Sequence, residues 1–228
     1  MTDSVLEARG LHRFFRRGGE EVAALRDVTF TVAAGEMIAV RGPSGCGKST
    51  LLALLAGLDR PDAGEVRLDD RPLTYRDAPD AVGARRATIG VLPQSGGLVE
   101  HLRVRGNVAM AARVRGVRVD ADALLDAVGL TGRSRAWPSE LSGGETARAG
   151  LAVALVGPPR VLLADEPTAE VSSAEERDLL TLLVESRPRS GATVVVTHSD
   201  RVAAAADRVL DLRAGRLVSD QATASVPA

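Results

Sequence analysis

Short apolar runs alternate with amphipathic stretches along most of this chain. Five of the runs are rich in β-branched and other apolar residues and are bounded by turn-forming residues, which predicts β-strands. They cover residues 28–32, 37–40, 88–92, 161–164 and 193–197. The last two runs are almost entirely apolar, as strands buried on both faces of a parallel sheet are. The alternation of strands and helices predicts an α/β fold with a largely parallel sheet.

The strand pattern fades between residues 96 and 141, where the spacing of apolar residues fits two helices. One is predicted over residues 106–114 and the other over residues 120–128. We therefore expect a helical subdomain over about residues 96–141, inserted in the sheet domain. Residues 219–228 are small and polar, and they are predicted to form a disordered tail.

The composition is that of an ordinary globular protein, and it narrows the choice of partners. Hydrophobic residues make up 45% and charged residues 26% of the chain, which excludes wholesale disorder. A formal net charge of −1 and an aromatic content of 2% favour neither a basic nor a stacking surface, so no nucleic-acid partner is expected. A single cysteine excludes an internal disulfide and fits a reducing compartment.

No apolar run is long enough to predict a transmembrane helix. The longest ones, residues 51–58 and 151–156, fall far below the roughly 18 residues that a spanning helix needs. If the protein acts at a membrane, we expect a separate chain to span it.

A glycine-rich loop follows the predicted strand at residues 37–40 and precedes a predicted helix. It fits G-x-x-x-x-G-K-[ST] without a mismatch and reads Gly42-Pro43-Ser44-Gly45-Cys46-Gly47-Lys48-Ser49-Thr50. Glycines let the backbone aim N–H groups at phosphate oxygens, and the helix N-terminus adds a positive dipole. Lys48 supplies a point charge for the β- and γ-phosphates, and the Ser49 hydroxyl is suited to ligate Mg²⁺. The loop therefore predicts a nucleotide-binding site.

Lys48 is also the only lysine among 29 basic residues, and every other one is arginine. The chain thus uses arginine wherever a generic cation is enough. The planar guanidinium is too bulky to replace a flexible ammonium inside a tight phosphate cradle. The position of the single lysine therefore supports the same function for the loop.

Three further polar side chains follow predicted buried strands. Asp165 and Glu166 end the strand at residues 161–164, and His198 follows the strand at residues 193–197. Ligands of open parallel sheets bind at the carboxyl ends of the strands. We expect Asp165 to reach Mg²⁺, Glu166 to polarise a water molecule near the γ-phosphate, and His198 to contact that phosphate. Taken alone, an acidic turn at a strand end is as often structural as functional, and a lone histidine is more often structural.

A second candidate anion site lies in Leu141-Ser142-Gly143-Gly144-Glu145. Ser142 is a good helix N-cap, and the glycines leave backbone N–H groups open at the start of the helix. Two phosphate-binding helix starts in one chain suggest that two chains enclose shared nucleotides between them.

Over residues 4–218 the sequence resembles the nucleotide-binding subunit of ABC transporters. The glycine-rich loop resembles Walker A, the strand ending at Asp165 and Glu166 resembles Walker B, and residues 141–145 resemble the signature motif. Gln94 falls at the Q-loop, His198 at the switch histidine, and Phe15 at the aromatic residue that stacks on adenine. Residues 20–28 resemble the group of macrolide-exporter and lipoprotein-release ATPases.

The resemblance implies a P-loop NTPase sheet core with an inserted helical subdomain, and ATP and Mg²⁺ as ligands. Two subunits would dimerise head to tail, each ATP lying between Walker A of one chain and Ser142, Gly143 and Gly144 of the other. Glu166 and His198 would be catalytic, and Ser49, Gln94 and Asp165 would bind the metal. Hydrolysis would drive a membrane-spanning permease on a separate chain, with this subunit cytoplasmic and peripheral on the inner face of the membrane.

Two departures from the family pattern leave alternatives open. Glu145 replaces the signature glutamine, and Ser172 replaces the aspartate that usually ends the D-loop. The first alternative is a regulatory mechanical ATPase, like the related cell-division ATPases, whose partner transports nothing. The second is a nucleotide-dependent adaptor with weak hydrolysis, which the altered D-loop suggests.

Overall fold

A computed structural model describes residues 4–18, 20–73 and 88–223, which form two β-sheets flanked by helices. The antiparallel sheet has the order β2-β1-β4-β5. Its strands are β1 (Ser4–Arg17), β2 (Glu20–Ala33), β4 (Ala63–Leu68) and β5 (Arg71–Pro72). The larger sheet has the order β10-β9-β3-β8-β7-β6. Its strands are β3 (Met37–Arg41), β6 (Ile89–Leu92), β7 (Val161–Asp165), β8 (Ala192–Val196), β9 (Arg208–Arg213) and β10 (Arg216–Ala222).

Six α-helices occur in the described residues. They are α1 (Lys48–Leu55), α2 (Val104–Arg115), α3 (Ala121–Ala127), α4 (Gly143–Ala154), α5 (Ser173–Glu185) and α6 (Asp200–Ala205). None of the helices in the described ranges is both long and apolar enough to cross a bilayer.

Five strands of the larger sheet, β9, β3, β8, β7 and β6, are mutually parallel. The central three are buried on both faces, with β8 lying between β3 and β7. Helices or the second sheet cover both faces of these strands. The strands are therefore apolar at every position and not only at alternate ones. The predicted strands at residues 37–40, 161–164 and 193–197 fall on these three.

The strands that the sequence pattern missed are mainly antiparallel and half-exposed. The predicted strand at residues 28–32 is only part of β2, and β1, β4, β5, β9 and β10 were not predicted. β10 alternates exposed and partly buried residues, so it lacks a continuous apolar run. It pairs with β9 through a two-residue turn in which Ala214 and Gly215 both have positive φ, as a type I′ hairpin requires.

The predicted tail is wrong for residues 219–222, which belong to β10. Asp220 pairs in register with Leu210, and its carboxylate lies 2.7 Å from Arg208 Nε. An edge strand needs backbone pairing on one side only, so small polar residues suffice there. Residues 224–228 lie outside the described residues.

The two helices predicted between residues 96 and 141 coincide with α2 and α3, and no strand occurs in this fully described stretch. Their apolar residues, including Val104, Val108 and Leu125, form a hydrophobic cluster with Ala149 and Ala152 of α4. The opposite face of α4 packs on the sheet core. We propose that residues 96–141 form the expected helical subdomain, with α4 joining it to the sheet.

A half-buried guanidinium also joins the helical part to the sheet. Arg115, at the end of α2, donates hydrogen bonds to the carbonyl oxygens of Ala154 (3.2 Å), Val156 and Ile89 (3.3 Å). Burial lowers the pKa of Arg115. The charge is therefore desolvated and held by neutral carbonyl groups of α4 and β6.

Replacing Arg115 by methionine should lower the free energy of unfolding by about 1–3 kcal/mol, because it leaves buried carbonyl groups without a donor. Urea denaturation followed by circular dichroism measures the loss. Arg113→Met is the matched control, since Arg113 is exposed on the same helical turn. Equal stability of the two variants would contradict a role for the Arg115 hydrogen bonds.

Candidate nucleotide site

The glycine-rich loop lies between β3 and α1, at the carboxyl end of the parallel sheet. Gly42 and Gly47 have positive φ and pack against backbone that leaves no room for a side chain. A Cβ on Gly42 would lie 2.1 Å from Leu212 O, and one on Gly47 would lie 2.4 Å from Ala24 O. Helix α1 starts without a side-chain cap and without an acidic residue in its first turn. Its first N–H groups therefore remain suited to an external anion.

A cavity of about 630 Å³ opens beside this loop. Two catalytic candidates, Glu166 and His198, line it together with nine of the predicted binding residues: Phe15, Ser44, Gly45, Gly47, Lys48, Ser49, Thr50, Gln94 and Asp165. Gly42 and Pro43 line an adjoining cavity of about 440 Å³ that also contacts His198. The structure thus brings together residues from five separate segments of the chain.

Cys46 is the one loop residue that the structure does not bring to either cavity. Its side chain is buried in the core of the sheet domain, next to Gly42. Its N–H donates to Pro43 O at 3.2 Å. Cys46 therefore packs beneath the loop and holds its shape.

Lys48 is buried, and loop carbonyl groups hold its ammonium. Nζ lies 2.8 Å from Gly42 O, 3.2 Å from Pro43 O and 3.1 Å from His198 Nε2. Since an ammonium only donates, the contact with His198 is a hydrogen bond in the tautomer whose Nε2 carries no proton. The same Nε2 lies 3.2 Å from Glu166 Oε1, so the tautomer of His198 decides which of these two neighbours it binds.

Glu166 has a strained backbone and a carboxylate oxygen without a donor. Its φ is +45°, in the left-handed region that residues other than glycine rarely adopt. Oε2 accepts a hydrogen bond from the His198 N–H at 2.9 Å. Oε1 is buried and makes no hydrogen bond to the described residues. Strain and an orphaned acceptor at the end of a buried strand are typical of a functional site, and Oε1 is suited to accept a proton from a water molecule.

Asp165 and Ser49 form a hydroxyl–carboxylate pair beside Lys48. Burial raises the pKa of Asp165, whereas the Ser49 hydrogen bond and the Lys48 charge oppose the rise. A partly desolvated carboxylate is stabilised by a cation. No group of three or more His, Cys, Asp or Glu side chains suited to a metal occurs in the described part of the chain. Mg²⁺ commonly takes one or two carboxylates plus phosphate oxygens and water, so these residues fit a magnesium–nucleotide complex.

Phe15 presents an aromatic ring at the rim of the cavity. The ring is 42% exposed, and the Arg13 guanidinium lies 4.7 Å from its centroid. Arg13 is held in turn by Asp59, with Nε 2.8 Å from Oδ2, and by Asp62. A ring fixed in this way is suited to stack on a nucleotide base.

Ser142, Gly143 and Gly144 do not line the cavity of their own chain. They form the start of α4, where Ser142 and Glu145 make a reciprocal capping box. Glu145 Oε2 accepts from the Ser142 N–H at 2.9 Å, and Oε1 lies 2.7 Å from Arg133 Nε. The replacement of the usual glutamine is therefore compensated by a local ion pair.

The sequence reasoning missed a hydrogen-bonded group on the far wall of the cavity. Ser199 Oγ donates to Glu176 Oε1 at 2.6 Å, and Arg201 Nη1 lies 2.9 Å from Oε2 of the same carboxylate. Ser199 also caps α6. A serine before a helix is a typical N-cap, so the capping role of Ser199 could be predicted from the sequence. Its contact with Glu176 could not, because Glu176 lies on another helix.

Comparison with known proteins identifies the family of this chain. Residues 25–169 match the family described as ABC transporter. The chain belongs to that family. The match spans the glycine-rich loop, Gln94, the signature residues and both strand-end carboxylates.

Curated relatives come from the exporter group that the sequence resembles. The macrolide export ATP-binding/permease protein MacB of Sodalis glossinidius is 39% identical over 233 residues, covering 100% of this chain and 36% of the relative. The probable syringafactin export ATP-binding/permease protein SyfD of Pseudomonas syringae is 35% identical, with the same coverages. The chain thus spans about a third of the length of these relatives.

Solved structures confirm the predicted fold class. A dimeric, post-hydrolysis structure of the ATP-binding cassette MJ0796 bound to ADP and Pi is 28% identical, with a TM-score of 0.89. The alignment covers 96% of this chain and 99% of that one. A second dimeric structure of MJ0796, described as a bacterial ABC transporter cassette, has a TM-score of 0.87.

Lys48→Arg should weaken ATP binding by roughly tenfold or more although the charge is kept, because the buried pocket fits an ammonium and not a guanidinium. Titration with a fluorescent ATP analogue measures the affinity. The reverse conservative change at an exposed ion pair, Arg105→Lys beside Asp122, is the control and should bind normally. A Lys48→Arg protein with unchanged affinity would exclude the steric explanation.

Glu145→Gln should lower stability at neutral pH but not in acid. The Ser142 N–H and the Arg133 guanidinium hold the pKa of Glu145 below its ordinary value of 4.5. A lowered folded-state pKa stabilises the fold above the ordinary value, and this contribution is lost as the pH falls through the lowered one. Glutamine keeps the capping hydrogen bond, so the variant isolates the charge.

Urea denaturation of wild type and Glu145→Gln at a series of pH values between 7 and 3 measures this effect. The difference in free energy of unfolding should shrink as the solution becomes more acidic. Glu100→Gln, at an exposed glutamate, corrects for the general loss of one negative charge. A difference independent of pH would contradict the charged capping box.

Proposed function

We propose that this chain hydrolyses ATP to ADP and phosphate and thereby drives a membrane-spanning permease of exporter type. The observation that carries the proposal is the shared cavity, in which Lys48, Asp165 and Glu166 meet around one loop. The buried Oε1 of Glu166 makes no hydrogen bond to the described residues, so it is suited to accept a proton from a water molecule.

Binding starts from the loop and from Phe15. Backbone N–H groups of the loop and the start of α1 hold the phosphates, and the Phe15 ring stacks on adenine. Lys48 exchanges the carbonyl groups of Gly42 and Pro43 for phosphate oxygens, which is a short movement of one flexible side chain. Ser49, Gln94 and Asp165 would hold Mg²⁺, which when bound would neutralise phosphate charge.

Glu166 acts as the general base. The backbone N–H of His198 fixes Oε2, which leaves Oε1 to take a proton from the attacking water. The water oxygen forms a bond to the γ-phosphorus, and the bond from that phosphorus to the bridging oxygen breaks, releasing ADP. The His198 ring then contacts the γ-phosphate from the end of β8.

A second copy completes each site. Ser142, Gly143 and Gly144 lie outside the cavity of their own chain, yet they present the start of a helix to an anion. We propose a head-to-tail homodimer in which they cover the ATP bound by the partner copy. The dimeric form of MJ0796 in two solved structures supports this arrangement.

Export is proposed from the relatives. The names of the MacB and SyfD proteins combine an ATP-binding and a permease function with export. These names favour an exporter over a mechanical ATPase that transports nothing. A peripheral position on the inner face of the membrane follows from a permease partner. A permease on a separate chain and the lack of a nucleic-acid partner stay predictions.

Glu166→Gln tests the proposal, because it removes the base and keeps the binding groups. The variant should bind Mg²⁺–ATP with wild-type affinity, dimerise on addition of ATP, and release phosphate at least about 10²-fold more slowly. Phosphate release, equilibrium ATP binding and light scattering after size exclusion measure the three properties.

Glu185→Gln, at an exposed glutamate that ends α5, is the matched control and should turn over normally. Chelation of Mg²⁺ should stop the wild-type reaction. Wild-type turnover in Glu166→Gln would remove Glu166 from the role of base, and a failure to bind ATP would contradict the nucleotide site itself.

A further inference from the structure

One carboxylate touches the starts of two helices that are far apart in sequence. Glu175 is the third residue of α5 and caps it, with Oε2 2.8 Å from Ser172 Oγ and 3.2 Å from the Ser172 nitrogen. Its other oxygen, Oε1, lies 3.5 Å from Ser142 Oγ at the start of α4. The same oxygen packs against Gly144, where a Cβ would lie 2.6 Å away.

Glu175 places a carboxylate beside the end of α4 where an anion bound to the signature motif would lie. The start of α4 carries the positive end of a helix dipole, and Ser142 and Gly144 are the residues proposed to meet the γ-phosphate of the partner copy. A carboxylate and a phosphate cannot both occupy this end of the helix without repulsion. The small size of Gly144 is what allows the carboxylate to approach so closely.

Glu175 differs in its charge balance from the other carboxylate at this helix start. Glu145 is paired with Arg133 at 2.7 Å. Among the described residues, no ion pair within 4 Å involves Glu175, and Arg148 acts on it only at longer range. The charge of Glu175 is therefore the less compensated of the two.

Glu175 is also connected to the cavity of its own chain. The segment before Ser172 contributes Thr168, Ala169 and Val171 to the wall of that cavity. The carbonyl oxygen of Glu170, in the same segment, packs against Gly143, where a Cβ would lie 2.1 Å away. The D-loop, residues 169–172, thus runs from the cavity of its own chain to the signature motif proposed to cover the ATP of the partner copy.

We propose that Glu175 is a positioning residue that occupies the anion-binding end of the signature helix until the γ-phosphate bound to the partner copy displaces it. The inference rests on the proposed head-to-tail dimer. Displacement frees the Ser142 hydroxyl to donate to phosphate and moves the carboxylate that caps Ser172. Binding of the partner copy's ATP to the signature motif thereby affects the D-loop and the cavity of the chain that carries Glu175. The negative charge also raises the ATP concentration needed for dimerisation.

The test compares ATP-driven dimerisation of Glu166→Gln with that of the double variant Glu166→Gln, Glu175→Gln. Sedimentation velocity at a series of ATP concentrations gives the concentration of half-maximal dimer. We expect a value about two- to fivefold lower in the double variant, the range that one charge near a helix N-terminus produces. The shift should decrease at high salt because exposed charges are screened.

Two further variants separate charge at the signature from other effects. Asp178→Asn removes a charge from an exposed position of the same helix and should leave the half-maximal concentration unchanged. Glu175→Asp keeps the charge but is too short to reach Ser142, so it should shift the value in the same direction by less. Loss of the α5 cap alone would act in the opposite direction, since a weakened D-loop would not favour dimerisation.

The outcomes are distinct. If Glu166→Gln binds ATP and never dimerises, the head-to-tail dimer and this inference both fail. If Glu166→Gln dimerises and Glu175→Gln needs as much ATP or more, the proposed function stands and the inference is overturned. A lower requirement in Glu175→Gln, with an unchanged value for Asp178→Asn, supports displacement of the carboxylate.

Discussion

Val40 of β3 and Asp165 of β7 both pair with Val196 of β8, the strand between them. This parallel register makes three buried strands end at the same level. Asp165 ends β7, and the glycine-rich loop, Glu166 and His198 follow the ends of the three strands, so these groups meet at one edge of the sheet. A slip of one residue would turn the side chains of a strand to the opposite face. The geometry of the site therefore depends on this register.

The starts of helices α1 and α4 differ in the charges around them. Helix α1 has no side-chain cap and no acidic residue in its first turn, which leaves its N–H groups to a phosphate. Helix α4 is capped by Ser142 and surrounded by the carboxylates of Glu145 and Glu175. The first site is prepared within one chain. The second already contacts carboxylates of its own chain, with which a phosphate of the proposed partner copy would have to compete.

The two departures from the family pattern are each stabilised by a near neighbour. Glu145 keeps the capping hydrogen bond and gains an ion pair with Arg133. Ser172 keeps an N-cap oxygen for α5 and binds Glu175. Neither Glu145 nor Ser172 lines the cavity. Their effect is on charge near the signature motif and the D-loop, which is where two copies of the cassette would meet.

The sequence alone determined the features that contiguous residues encode. The loop around Lys48 could be recognised because its glycines, lysine and flanking strand and helix are consecutive, and the central strands could be predicted because burial on both faces demands continuous apolar residues. The half-exposed strand β10 and the burial of Cys46 were decided by tertiary structure, since pairing and packing partners lie elsewhere in the chain. The same holds for Glu176 with Ser199 and for Glu175 with Ser142. These contacts join separate segments, and only the packing of helices on the sheet brings them within hydrogen-bond distance.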